Sequence, residues 1–148
     1  MKYFKSVLLA FIIFVMTSCD VTKYVAVRNY REPAKVCVTY QKVGNPFFDN
    51  DTLKLKNINT PKFDSSLVRQ NASDSSYCFI APMGKEVALK PIALGGLPIQ
   101  QIKVFNSPDS VLTVNLWGDR NEIKRLKKAG IIQIKGWIFT HSIIVENK

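Results

Sequence analysis

The stretch AKVCVTYQKV (34–43) decides the fold class, because its apolar residues fall on every second position. Side chains of a β-strand point alternately to its two faces, so this spacing predicts a strand with one buried face. The residues that would face the core are Val36, Val38 and Tyr40. Turn-forming residues follow at once in GNPFFDND (44–51), which predicts that the strand ends there.

The same alternation recurs along the chain. In TLKLKNI (52–58) leucines alternate with lysines, and KEVALKPI (85–92) places two apolar residues on one face. Further strands are predicted at YVAVRNY (24–30), YCFIA (77–81), IQQIKVF (99–105) and SVLTVNLW (110–117), the last two forming a hairpin around NSPD (106–109). Strands about ten residues apart with turns between them predict a mainly β fold, an antiparallel β-sandwich that is Ig-like or similar. An α+β fold is the alternative.

The C-terminal part of the chain changes pattern. DRNEIKRLKKAG (119–130) predicts one short helix, which Asp119 caps and Gly130 ends. One or two strands are predicted in the run that follows, 131–147. The polar segment 59–76 predicts a long loop with a short irregular strand around Leu67 and Val68. Residues 25–148 are therefore expected to form a single β-rich domain.

The N-terminus predicts export. Two lysines precede ten consecutive apolar residues, Val7–Met16, and small polar residues follow. As a helix this run would extend about 15 Å, half the thickness of a bilayer's hydrocarbon core, so it is too short for a stable span. A basic start, an apolar middle and a small-residue exit are typical of a cleaved signal peptide.

The exit Met16-Thr17-Ser18-Cys19 resembles the lipobox of bacterial lipoproteins, in which two small residues precede an invariant cysteine and Leu is usual where Met16 stands. The resemblance implies that residues 1–18 are removed and that Cys19 carries a diacylglyceryl group and further acylation such as palmitate. It covers about the first twenty residues only. Residues 19–24 would then be a short lipidated tether to a membrane of the cell envelope. The sequence favours a Gram-negative bacterium but leaves open the inner or the outer membrane.

The charge limits the partners. Lys and Arg exceed Asp and Glu by 21 to 11, a formal net charge of +10. A basic surface attracts polyanions, which outside the cytosol are lipid head groups and acidic polymers, so nucleic acid is not expected as a partner. The densest positive group is on the predicted helix: Arg120, Lys124, Arg125, Lys127 and Lys128. This group predicts either an anionic-surface contact or an ordinary solvated helix face.

Two further cysteines, Cys37 and Cys78, lie in predicted strands. An oxidising compartment permits a disulfide between them, and two buried free thiols are the alternative. Closing a loop of this length would contribute about 3–4 kcal/mol to the free energy of unfolding.

No catalytic or metal-binding pattern emerges. The one histidine, His141, is followed by Ser142, and neighbouring strand residues point to opposite faces. None of the common hydrolase, zinc or phosphate-loop motifs occurs, and no cofactor or metal is expected. DND (49–51) is better explained by turn chemistry than by a calcium loop, and Trp117, Trp137 and Phe139 by core packing than by sugar stacking.

Two short segments resemble an O-glycosylation motif of some exported bacterial proteins, with Thr52 and Ser110 as the acceptors. Three hypotheses about function remain. The first is a non-enzymatic module that binds an envelope protein or glycan or acts in envelope assembly. The second is an electrostatic binder of anionic envelope lipids or polymers, and the third an unrecognised small hydrolase. The sequence does not determine the oligomeric state.

Overall fold

The computed structural model describes residues 21–40, 52–70, 73, 75–89, 99–137 and 140–148. Within them, two β-sheets and one helix, α1 (Arg120–Lys128), form a sandwich-like fold, which confirms the predicted fold class. The strands are β1 (Val21–Asn29), β2 (Ala34–Tyr40), β3 (Thr52–Asn57), β4 (Ser65–Val68), β5 (Ser76–Ala81), β6 (Lys85–Ala88), β7 (Ile99–Ser107), β8 (Ser110–Asn115), β9 (Ile132–Trp137) and β10 (Thr140–Asn147).

The strands divide into a six-stranded sheet, in the order β4-β3-β6-β1-β10-β9, and a four-stranded sheet, in the order β5-β2-β7-β8. Neighbouring strands are antiparallel except for β1 and β10, which are parallel. The predicted antiparallel sandwich is thus interrupted by one parallel pair. The predicted hairpin of β7 and β8 and the two strands after the helix are all present.

The hydrophobic core lies between the two sheets. Val36 and Val38 of β2 are fully buried, as their alternation predicts, and Leu53 of β3 and Val87 of β6 meet them from the other sheet. Burying an aliphatic side chain of this size contributes about 1.5–3 kcal/mol. The alternating stretches of the sequence therefore supply both inner faces of the sandwich.

The direction of the strands gives the sandwich two distinct ends. At the N-terminal end β1 begins, with Val21 opposite Thr140, and at the far end β1 finishes, with Asn29 opposite Asn147. A short connection after Asn29 turns the chain into β2, which runs back toward the N-terminal end. Since β2 pairs with β7 and β7 with β8, the last residue of β8, Asn115, also lies toward the N-terminal end.

One side of the sandwich is closed by a chain that changes sheets. β4 pairs with β3 in the six-stranded sheet, and two residues later Gln70 pairs with Cys78 of the four-stranded sheet. The Gln70 N–H donates to the Cys78 carbonyl at 2.7 Å, and the Cys78 N–H donates to the Gln70 carbonyl at 2.8 Å. Two of the sheet edges, β4 and β5, are thereby joined.

The first strand begins earlier than the sequence predicts. β1 starts at Val21, so the segment assigned to a tether, 19–24, is largely part of the sheet. Residues 1–18 and Cys19 lie outside the described residues. If Cys19 is the acylated residue, only Asp20 separates it from the first strand.

Candidate functional site

The ends of α1 are fixed by local hydrogen bonds. Asp119 is the N-cap, as predicted, and its carboxylate accepts from the Asn121 N–H at 3.3 Å. At the other end the Ile131 N–H donates to the Leu126 carbonyl at 3.0 Å, and the Gly130 N–H donates to the Lys127 carbonyl at 3.1 Å. Gly130 has φ of 69°, so this is a Schellman motif, in which the glycine adopts the left-handed conformation.

The helix is held to the sandwich by a narrow apolar stripe. Leu126 is buried and belongs to the core cluster, and Ile123 and Ile131 pack against that cluster. All five predicted surface cations of α1 are exposed: Arg120, Lys124, Arg125, Lys127 and Lys128. At about 100° per residue they cover an arc of roughly 160° centred opposite Leu126. The helix therefore buries its apolar stripe and turns a basic surface, the basic arc, to solvent.

Nothing in the described part of the chain neutralises the basic arc. None of the ion pairs among the described residues involves its five side chains. The one acidic residue of the helix is Glu122 in the first turn, and its carboxylate folds back against Gly118. Like charges this close repel one another, so the surface favours an anionic counterpart.

The basic arc extends lengthwise along the sandwich. α1 begins after β8 toward the N-terminal end, and Ile131, just after the helix, accepts from the Glu146 N–H near the far end. Arg120 is therefore the cation nearest to the end where β1 starts, and Lys128 is farthest from it. Trp117, in the turn before the helix, has half of its surface exposed, so the prediction that it packs in the core is wrong. Its backbone N–H donates to the Asn115 side-chain oxygen.

Cys37 and Cys78 are joined by a disulfide with an S–S distance of 2.10 Å. The two residues face each other across β2 and β5, with their α-carbons 4.1 Å apart. Because the backbone groups of Cys78 bond to Gln70 on the other side, this is a non-hydrogen-bonded pair, the closer of the two kinds in an antiparallel ladder. The bridge crosses the outer face of the four-stranded sheet, opposite the face of Val36 and Val38.

The outer face of the six-stranded sheet contains a row of alternating charges. The register places Lys56, Glu86, Arg28 and Glu146 side by side on β3, β6, β1 and β10. Arg28 Nε is 2.6 Å from a Glu86 carboxylate oxygen, Arg28 Nη1 is 3.2 Å from Glu146 Oε1, and Lys56 Nζ is 3.2 Å from the other Glu86 oxygen. Both glutamate side chains are completely buried. We call these four residues the charge row.

One acceptor in the charge row is incompletely used. Glu146 Oε2 is buried and has no hydrogen-bond partner among the described residues. Burial and the neighbouring Glu146 carboxylate raise the pKa of the Tyr30 phenol, because both disfavour its ionised form. Tyr30 itself is partly exposed, so it lies where the row meets solvent.

The remaining predicted positions do not converge on one site. Thr52 and Ser110 are exposed at the starts of β3 and β8, so modification there stays a prediction. The backbone of His141 pairs with Gly136 and Thr22 in the six-stranded sheet. DND (49–51) and Phe139 lie outside the described residues, and Trp137 ends β9 at the N-terminal end.

The described residues contain neither a membrane-spanning helix nor a cluster of metal ligands. No helix among them has the length and apolar character needed to cross a bilayer. They also contain no cluster of three or more His, Cys, Asp or Glu side chains that could hold a metal ion.

Comparisons with known proteins give no relative. No family model matches the chain, and no curated protein or solved structure matches it. The arguments about function consequently rest on the residues themselves.

The sequence predicts the basic arc but not the charge row. The helix signals are local, so cap, stripe and cations can all be located from one short segment. The charge row joins four strands spread over Arg28 to Glu146, and its members look like ordinary solvent-facing residues of alternating strands. The sequence does indicate that Lys56, Glu86 and Arg28 each occupy the outward position of a strand. It does not indicate that these strands are neighbours in the sheet.

Proposed function

We propose that this protein is an envelope lipoprotein of a Gram-negative bacterium, a non-enzymatic binding or assembly module held to a membrane by acylated Cys19. The lipobox-like residues Met16 to Cys19 and the preceding apolar run support the anchor. The absence of catalytic motifs from the sequence supports a binding role.

The observation that supports the binding role best is the basic arc. Five exposed cations lie on one face of α1, and none is paired within the described residues. An unpaired cluster of this kind gains about 1 kcal/mol for each cation that comes close to an anionic membrane surface. We therefore propose anionic envelope lipid or acidic polymer as the counterpart of α1, with a protein or glycan partner elsewhere on the domain as the broader alternative.

The anchor is tested by metabolic labelling with an alkyne analogue of palmitate in a Gram-negative host. The wild-type chain should be labelled and sediment with membranes, and the mature product should begin at Cys19. The variant Cys19→Ser should lose the label, whereas Cys37 and Cys78 remain present as internal controls. Label retained in Cys19→Ser, or an unlabelled wild-type protein, would contradict the proposal.

The electrostatic role is tested with acylated protein held in neutral phosphatidylcholine nanodiscs and exposed to purified lipopolysaccharide. Binding should weaken strongly between 50 and 300 mM salt, since added ions screen exposed charges. The triple variant Lys124→Glu, Arg125→Glu, Lys128→Glu should abolish it. The matched control is Lys54→Glu, Lys62→Glu, Lys103→Glu, which changes net charge equally at exposed positions away from the helix.

The control separates two explanations. If both triple variants lose binding equally, the effect reflects overall charge and the helix has no special role. If neither variant nor salt changes binding, the electrostatic role is wrong, while the labelling result still decides the anchor.

A further inference from the structure

We infer that the protein stands with its N-terminal end on the bilayer, where Trp117 enters the head-group region and Arg120 and Lys124 bind anionic lipid head groups. The inference rests on the proposed anchor at Cys19. It assigns to Trp117 a membrane contact and to the basic arc a fixed orientation relative to the membrane.

In the sequence, the proposed anchor at Cys19 lies only two residues before the first strand. β1 begins at Val21, so Cys19 and Asp20 are the whole connection between the lipid and the sheet. Two residues span at most about 7 Å. The N-terminal end of the sandwich must therefore lie within one head-group thickness of the lipid that Cys19 bears, because Val21 and Thr22 already pair with Thr140 and His141 of β10 and do not lengthen the tether.

The N-terminal end of the sandwich carries an exposed tryptophan. β8 delivers the chain to this end at Asn115, and Trp117 follows with half of its surface exposed. An indole combines an apolar ring with one N–H donor, which suits the boundary between head groups and acyl chains. A tryptophan exposed to this extent at the end closest to the anchor is suited to that environment.

The basic arc runs away from the N-terminal end, so its cations lie at different distances from that end. Arg120 is the first helical residue and Lys128 the last, so they differ in height by about 12 Å along the helix. The screening length at physiological salt is about 8 Å. With the N-terminal end on the membrane, Arg120 and Lys124 therefore feel the lipid charge strongly, whereas Lys127 and Lys128 feel little of it.

Two acidic residues of the described segment around α1 lie beside its first cations without joining the basic arc. Asp119 is engaged as the cap of α1, and Glu122 is folded against Gly118. Neither carboxylate lies on the arc formed by the cations. The contact therefore fits a bilayer containing anionic phospholipid better than a purely zwitterionic one.

The experiment uses mature acylated protein in vesicles of phosphatidylcholine and phosphatidylglycerol that contain phospholipids brominated at a shallow or a deep acyl position. The difference in fluorescence between the wild type and Trp117→Phe reports Trp117 without altering Trp137. We expect this difference signal to be quenched by the shallow bromines by at least twofold, and much less by the deep ones.

A tryptophan at the opposite end provides the matched control. Met83 is 62% exposed in the turn between β5 and β6 at the far end, so Met83→Trp in the Trp117→Phe protein should add a signal that neither bromolipid quenches. Quenching at position 83 equal to or above that at 117 would overturn the orientation. A complete lack of quenching at Trp117 would also overturn the orientation.

The different heights of Arg120 and Lys128 along the helix allow a second test, in which single cations are removed and the quenching of Trp117 is measured again. We expect Arg120→Gln to reduce the shallow quenching of Trp117 in anionic vesicles and Lys128→Gln to leave it unchanged. An equal effect of both, or a larger effect of Lys128→Gln, would contradict the upright orientation. Failure of Cys19 labelling would instead refute the anchor, so the two proposals fail separately.

Discussion

The two sheets of this sandwich share one hydrophobic core but hold their strands together on the outside by different means. The six-stranded sheet is crossed by the charge row, in which two fully buried glutamates lie between Arg28 and Lys56. The four-stranded sheet is crossed by the covalent bond between Cys37 and Cys78. The charge row loses stability when one of its buried charges is deprived of its partner. The disulfide stabilises its sheet chiefly by restricting the unfolded chain.

The largest effect is expected from removing the cation that the charge row shares. Arg28→Ala leaves the Glu146 carboxylate buried with no cation among the described residues, and it removes the Arg28 contact of Glu86. Breaking a buried ion pair in this way should cost about 3–5 kcal/mol. Urea unfolding followed by circular dichroism measures it. Lys56→Ala, which leaves Glu86 paired with Arg28, should cost clearly less, and an equal loss in both variants would contradict the shared role of Arg28.

A somewhat smaller loss is expected from opening the disulfide. Replacing both Cys37 and Cys78 by Ala removes the closure of a loop between residues 41 positions apart. The chain-entropy model gives a loss of about 3–4 kcal/mol in the free energy of unfolding. The control is to add a thiol reductant to both proteins. Only the wild type should be destabilised by it, and an unchanged wild type would show that the bridge does not stabilise the sheet.

A third prediction concerns a phenol on the inner face of the four-stranded sheet. Tyr77 is 1% exposed, and its hydroxyl has no hydrogen-bond partner among the described residues. Tyr77→Phe should therefore change stability by less than about 1 kcal/mol at neutral pH, and in the stabilising direction. The Arg69 guanidinium, 4.6 Å from the centre of the ring, keeps its contact in this variant.

The pH dependence of Tyr77 sharpens that test. Burial raises the pKa of the Tyr77 phenol well above its usual value. A raised folded-state pKa means that its contribution to stability is complete below about pH 10, where the unfolded phenol is neutral, and is lost as the pH rises further. Urea midpoints between pH 9 and 11.5 should fall less steeply in Tyr77→Phe than in the wild type. Parallel curves would mean that Tyr77 ionises freely in the folded protein.

The smallest effect is expected at an exposed ion pair of the six-stranded sheet. Lys85 Nζ lies 3.4 Å from Asp64 Oδ2, and the Ser65 hydroxyl together with Lys85 lowers the pKa of the Asp64 carboxyl. Stability from such a group is present above the unfolded pKa and is lost as the pH falls through the folded one. Because Asp64 is solvent-exposed, Asp64→Asn should leave the urea midpoint at pH 7 unchanged within error. A shift comparable to that of Arg28→Ala would end the contrast between buried and exposed charges.

The sequence predicts what is encoded locally. Alternation places Val36 and Val38 in the core, and the cap at Asp119 and the glycine at Gly130 bound the helix, because each signal acts within a few residues. The mainly β sandwich-like fold follows from such segments. The short strand predicted around Leu67 and Val68 is present as β4. The bridge at Gln70, in contrast, depends on a strand that its own residues do not specify.

What the sequence does not predict is the arrangement of distant strands. Nothing in the residues of β1 and β10 indicates that they are parallel neighbours, since their register is set by the whole sheet. For the same reason Glu86 and Glu146 look solvent-facing, although both are buried. The sequence also does not predict the start of β1 at Val21, because pairing with β10 continues the strand beyond its apolar residues.

The position of β1 between β6 and β10 has a consequence for how the chain acquires its structure. The first strand to leave the ribosome or an export channel needs the last one, because Val21–Asn29 pair along their length with Thr140–Asn147. Such long sequence separation slows folding, since the chain must close a very large loop before the contacts form. The six-stranded sheet therefore cannot be completed until β10 is available, whereas the four-stranded sheet needs only strands between residues 34 and 115.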